Sequence, residues 1–252
     1  MNKTTPLLLF LALLNTSALA QSAAKGTVLV KSDFSKETVD KAVFGISSWN
    51  ISETWELKDG ALACIYDPKQ HPGKAHGTSI NPRFKAKDVR VSYRVKFEDE
   101  SARLSMLINT PFPAKTGIPV WHIGDVNARL PRNETDAVVS IAERDFTYDE
   151  NDPRIAGKPK SFGPADIFKP YLAYAANGIN CKAPAALVKG QWHQFVVENI
   201  GTQWTLWIDG KQILSQVMKH SDAEKETVNF IAFAPLLLSD IVIEELPCGS
   251  GS

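Results

Sequence analysis

The sequence predicts an all-β protein, a sandwich of two antiparallel sheets, on three observations. Short segments of alternating apolar and polar residues recur along the chain, and turn-forming pairs separate them. Beyond residue 20, no stretch holds a helical period over three turns. Two large sheets suit a chain of 252 residues better than a small closed barrel.

The segment 1–20 stands apart from that pattern. Lys3 gives a positive start, "PLLLFLALL" an apolar run, and "SALA" small residues at Ala18 and Ala20. This is the pattern of a secretory signal peptide cleaved after Ala20, so export to the periplasm or the cell exterior is expected. The apolar run is too short to span a bilayer and polar sequence follows it, so the protein is not expected to be membrane-embedded. No Cys adjoins the cleavage site to signal a lipid anchor. Residues 21–246 read as a single domain, and 247–252, "PCGSGS", as a flexible tail.

The strands follow in order. "GTVLVKSDF" opens the series. "WELKDGALACIY" carries Trp55 and Leu57, a turn at Asp59-Gly60, then Leu62 and Cys64. In "DVRVSYRVKF", Val89, Val91, Tyr93, Val95 and Phe97 oppose Arg90, Ser92, Arg94 and Lys96. "ARLSMLIN" and "AVVSIAE" continue it. A stretch rich in Pro, Gly and charge predicts a long loop at about 145–189, of the kind that is either functional or disordered. "GQWHQFVVENIGTQWTLWIDGKQI" then predicts a three-stranded meander closed by Asp209-Gly210. In it Trp204, Leu206 and Ile208 share a face while Trp207 points the other way. "VNFIAFA" and "SDIVIEEL" complete the set, and Trp55 and Trp192 read as core residues.

Charge and cysteines narrow the partners. Lys plus Arg and Asp plus Glu both total 28; without the first twenty residues the balance is 27 against 28. No basic excess remains to neutralise a phosphate backbone, so no nucleic-acid partner is expected. Cys64, Cys181 and Cys248 are widely spaced, which argues against zinc. An exported chain could pair two of them, and the sequence does not choose which. His71 and His76 in "HPGKAH" read as a surface turn. Asn50 and Asn133 match the glycosylation sequon.

The order of "SDFS", "WELKDGAL", "FKAKDVRVSYRVKF", the Gly190–Ile213 meander and "SDIVIEEL" resembles the concanavalin A-like, laminin G-like jelly roll. More narrowly it is similar to the bacterial domains named after 3-keto-disaccharide hydrolase. The resemblance implies a hollowed sheet that receives carbohydrate, and relatives hold a structural Ca²⁺ near the positions of Asp33 and Asp240, for which plain strand-end acids are the alternative; no cofactor is required. Family 16 glycoside hydrolases of this fold carry paired acids in an E-x-D-x-x-E pattern. The nearest text here is "ERDFTYD", with Glu143, Asp145 and, one residue late, Asp149. Glu143 and Asp145 share a strand face by parity, as catalytic carboxylates must. A solvated strand end is the alternative.

The expected function is carbohydrate recognition, of a polysaccharide or a fragment of one, with Trp121, His122 and Trp207 as contacts. An aromatic ring can stack on a sugar's apolar face while polar neighbours bind its hydroxyls. One alternative is an enzyme acting on 3-keto-glycosides through Glu143, Asp145 and His122 as proton donors and acceptors. Another is a non-catalytic structural or protein-interaction module. Oligomeric state is not legible in the sequence.

Overall fold

The structure, a computed structural model, describes residues 25–32, 34, 44–46, 55–65, 78–109, 122–130, 137–142, 179–218, 221–233 and 235–247. These residues build two antiparallel sheets packed face to face. The first sheet has eight strands. It runs β13 (Lys211–Val217), β12 (Gln203–Ile208), β11 (Trp192–Ile200), β6 (Val89–Phe97), β15 (Leu236–Glu245), β4 (Ala61–Cys64) and β3 (Trp55–Lys58), with β1 (Thr27–Ser32) also on β15. The second has seven. It runs β10 (Asn180–Ala185), β9 (Ala137–Ala142), β8 (His122–Arg129), β7 (Arg103–Asn109), β14 (Lys225–Phe233), β5 (Thr78–Ala86) and β2 (Phe44–Ile46).

Side-chain alternation places the core between them. On β6, Val89, Val91, Tyr93, Val95 and Phe97 are all buried to within 1% exposure, as their period of two requires. Tyr93 stacks on Phe195 of the same sheet at 5.2 Å and meets Phe230 of the other sheet edge-on at 5.0 Å. Gly124 on β8 is the counterpart of Trp204 on β12: a Cβ there would come within 2.1 Å of the indole. The largest ring of the core therefore needs the smallest residue opposite it.

Both predicted Asp-Gly turns form. Asp59 and Gly60 have φ of 51° and 74°, and Asp209 and Gly210 have 50° and 76°. Two successive positive φ values make the primed turn that matches strand twist. A further positive φ, 50° at Asp240, marks a bulge in β15. Before it β15 pairs with β4, and after it with β1.

Two expectations change. β10 lies inside the segment read as loop, so the described end of 145–189 is partly strand. Trp192 is not core: it alternates with inward His193 and Phe195 and lies beneath Arg94 and Lys96, whose cations stand 4.9 and 5.9 Å from its ring centroid. Trp55 is buried in the core as expected.

Candidate functional site

The outer face of the seven-stranded sheet follows from the same alternation. Leu104, Met106 and Ile108 on β7, Val126 and Ala128 on β8, and Val228, Phe230 and Ala232 on β14 belong to the core. Their neighbours in sequence therefore face away from it. The register aligns these outward residues in rows across the strands. Asn229, Leu107, Asp125, Ala142 and Asn180 form one row, from β14 to β10. Ile231, Ser105, Asn127, Ser140 and Lys182 form the next. Beyond the first row, Thr227 pairs with Asn109 and Asn109 with His122.

The rows are dominated by amide, hydroxyl and carboxyl groups. The Asn109 amide donates to Thr227 Oγ1 at 3.0 Å, and the Ser105 hydroxyl donates to Asn127 Oδ1. Asn229 Oδ1 is buried without a hydrogen-bond partner. Asp125 is fully buried on this outer face. Burial holds the Tyr93 phenol far above its ordinary range, and the Asp125 charge adds to the effect. A phenol within the core thus feels a carboxylate on the far side of the sheet.

The eight-stranded sheet presents a different outer face, where opposite charges are matched. Arg90 donates through Nε to Glu198 at 2.7 Å and through Nη1 to Glu244 at 3.2 Å. Arg94 pairs with Asp240 at 3.2 Å, and Lys96 with Glu98 at 2.6 Å. These pairs match the outward charges of β6.

The expected contact residues divide between the two sheets. His122 opens β8 in the seven-stranded sheet, and the chain leaves β9 at Ala142 from the same end, since Asp125 pairs with Ala142. Trp207 lies on β12 of the eight-stranded sheet, outward by parity and only 7% exposed. It shares no face with β8, which corrects the expectation of one surface holding Trp121, His122 and Trp207. Parity assigns a side of a strand, not the sheet the strand joins. Trp121, Glu143, Asp145 and Asp33 lie outside the described residues.

Of the two acids expected near a calcium ion, Asp240 alone is described, and Asp33 lies outside the described residues. The Asp240 carboxylate accepts a hydrogen bond from the Arg94 guanidinium at 3.2 Å. Calcium takes six to eight oxygens, and no group of three or more His, Cys, Asp or Glu gathers among the described residues. Asp125, Asn127 and Asn229 escaped the sequence reading. The period of two in "GDVNARL", with Asp125, Asn127 and Arg129 opposite Val126 and Ala128, carries the signal for the first two.

No family model and no curated protein matches the sequence. Solved structures do match its fold. The laminarinase from Rhodothermus marinus superimposes with a TM-score of 0.61 at 9% identity, over 89% of this chain and 99% of that one. The endo-beta-1,3-glucanase from Pyrococcus furiosus gives 0.58 at 11%, over 90% and 97%. The CBM2 module of Lactobacillus casei BL23 phage J-1 evolved Dit gives 0.54 at 10%, over 88% and 97%. The fold is a concanavalin A-like jelly roll. Identities this low carry the architecture and leave the chemistry to the residues.

Proposed function

We propose that this protein recognises carbohydrate on the outer face of the seven-stranded sheet. The observation that carries the reading is the pair of adjacent polar rows across its strands, backed by core on the other side. Amides, hydroxyls and carboxylates are the groups that exchange hydrogen bonds with sugar hydroxyls. Held on rigid strands, they lose little freedom on binding. Similar folds in a laminarinase and an endo-beta-1,3-glucanase support the reading by analogy. The segment 1–20 supports export as part of it.

Titration calorimetry against a panel of oligosaccharides tests this. Binding is expected, and Asn127→Ala or Asn229→Ala is expected to weaken it about fivefold or more, the effect of a lost hydrogen bond. Silence across the panel with folded protein would reject the reading.

A second reading is hydrolysis or elimination on 3-keto-glycosides. The buried Asp125 carboxylate, on the strand that His122 opens, favours it. Glu143, Asp145 and His122 remain the proposed proton carriers. Product release from C3-oxidised oligosaccharides that disappears in Glu143→Gln, His122→Ala or Asp125→Asn would establish it.

A further inference from the structure

We propose that the ligand of this face is an acidic polysaccharide, a sugar chain carrying carboxylates or sulfates. This rests on the carbohydrate reading and narrows it to a class. Five exposed cations stand on the outer face: Arg83 and Lys85 on β5, Arg103 on β7, Arg129 on β8 and Lys182 on β10, of which Lys85 pairs with Glu224 at 3.4 Å. Arg103 and Arg129 are direct register partners. Side chains so placed begin about 5 Å apart, and like charges there oppose folding. The Arg103 guanidinium stands 3.7 Å from the Phe233 ring centroid, a cation–π contact that holds it above the sheet.

No described acid forms an ion pair with Arg83, Arg129 or Lys182. Asp125, the acid within the rows, is fully buried and sits away from the Arg103–Arg129 pair. The whole chain balances 28 cationic against 28 anionic residues, whereas among the described residues the exposed charges on the outward positions of these strands are cationic. The outer face of the other sheet, by contrast, pairs Arg90, Arg94 and Lys96 with acids.

The spacing argues for a chain rather than a small anion. From β5 to β10 the sheet order crosses five strand intervals, about 24 Å at the usual interstrand distance. A single carboxylate or sulfate cannot meet cations spread that far, whereas a polymer lying across the strands can. Guanidinium forks suit planar or tetrahedral oxyanions. Between the cations, the half-buried Ser105 and Asn127 offer hydrogen bonds to hydroxyls. Single-stranded nucleic acid is bound largely by stacking bases on open aromatic faces, and the Phe233 ring here is covered by Arg103.

The test uses the full chain and its Arg129→Gln/Lys182→Gln variant, with the fold of each checked by circular dichroism. Binding is measured against polygalacturonate, a sulfated galactan, a neutral β-1,3-glucan, dextran and single-stranded DNA, at low and high salt. An acidic polysaccharide is expected to bind about tenfold or more tighter than either neutral one, to weaken with salt, and to lose about tenfold in the double variant. Preference between the two acidic chains then identifies the anion. A neutral glucan bound as tightly as both acidic chains, with the variant unchanged, overturns this inference and leaves carbohydrate recognition standing. Failure of every polysaccharide overturns both, and DNA binding lost in the same variant would reassign the face to nucleic acid.

Discussion

Lys225 shows how one residue sets a pH response. It is fully buried where β14 begins, and its ammonium donates to the Lys87 carbonyl. Burial lowers its pKa to about 8, against the partial support of Asp88 and Asp222. The unfolded chain keeps this proton up to the ordinary lysine range near 10.5. Between pH 8 and that range the unfolded state therefore binds more protons, and folding stability rises with pH. The whole effect is at most about 3 kcal/mol. Below pH 8 the cost of burying the charge is fully present. The Tyr93 phenol, raised by burial, acts in the opposite sense above pH 10. Between pH 8 and 10 the melting temperature of the native protein should climb relative to Lys225→Met. A constant difference between the two curves would show that Lys225 does not titrate as a buried cation.

Among the elements, the β12–β13 hairpin is tied at its turn to a backbone amide and a side chain of β11. Asp209 accepts from the Gln194 N–H at 2.8 Å through one oxygen, and its other oxygen is 2.8 Å from His193 Nδ1. His193 Nε2 accepts from the Val188 N–H at 2.9 Å. Gly210, at φ 76°, has open space where a Cβ would go, so its substitution meets only backbone strain. Gly210→Ala should cost about 1 kcal/mol in denaturant unfolding, with the slope against denaturant unchanged. A neutral result would mean the turn relaxes to another type.

Such turns were legible in the sequence because Asp-Gly has a single strong meaning between apolar arms. β10 was not. Its inward residues, Cys181, Ala183 and Ala185, are small, and its outward ones, Asn180, Lys182 and Pro184, read as loop. Trp192 was misplaced because its size suggested core, while its parity with Phe195 points outward. The polar rows were legible only in part. Alternation shows that Asp125 and Asn127 share a side, but their alignment with Asn229 needs the pairing of β14 with β7, more than 100 residues apart in the chain.

Across the whole molecule, the two sheets share one core rather than two. Tyr93 and Phe195 come from one layer and Phe230 from the other, and all three rings touch as a cluster centred on Tyr93. The described layers should therefore unfold together, with near- and far-ultraviolet dichroism following one curve. Phe230→Ala should move that curve as a unit, by about 3–5 kcal/mol. Separate transitions for the two signals would mean that the layers melt independently.

The bulge at Asp240 lets β15 serve β6 on one side and both β4 and β1 on the other. All three of those neighbours precede it in the chain. On the ribosome they must wait, their edges unmated, until synthesis has passed Glu245. Assembly of this layer is thus gated by a late arrival, and a nascent chain stopped before Leu236 would carry open edges prone to pairing with other chains.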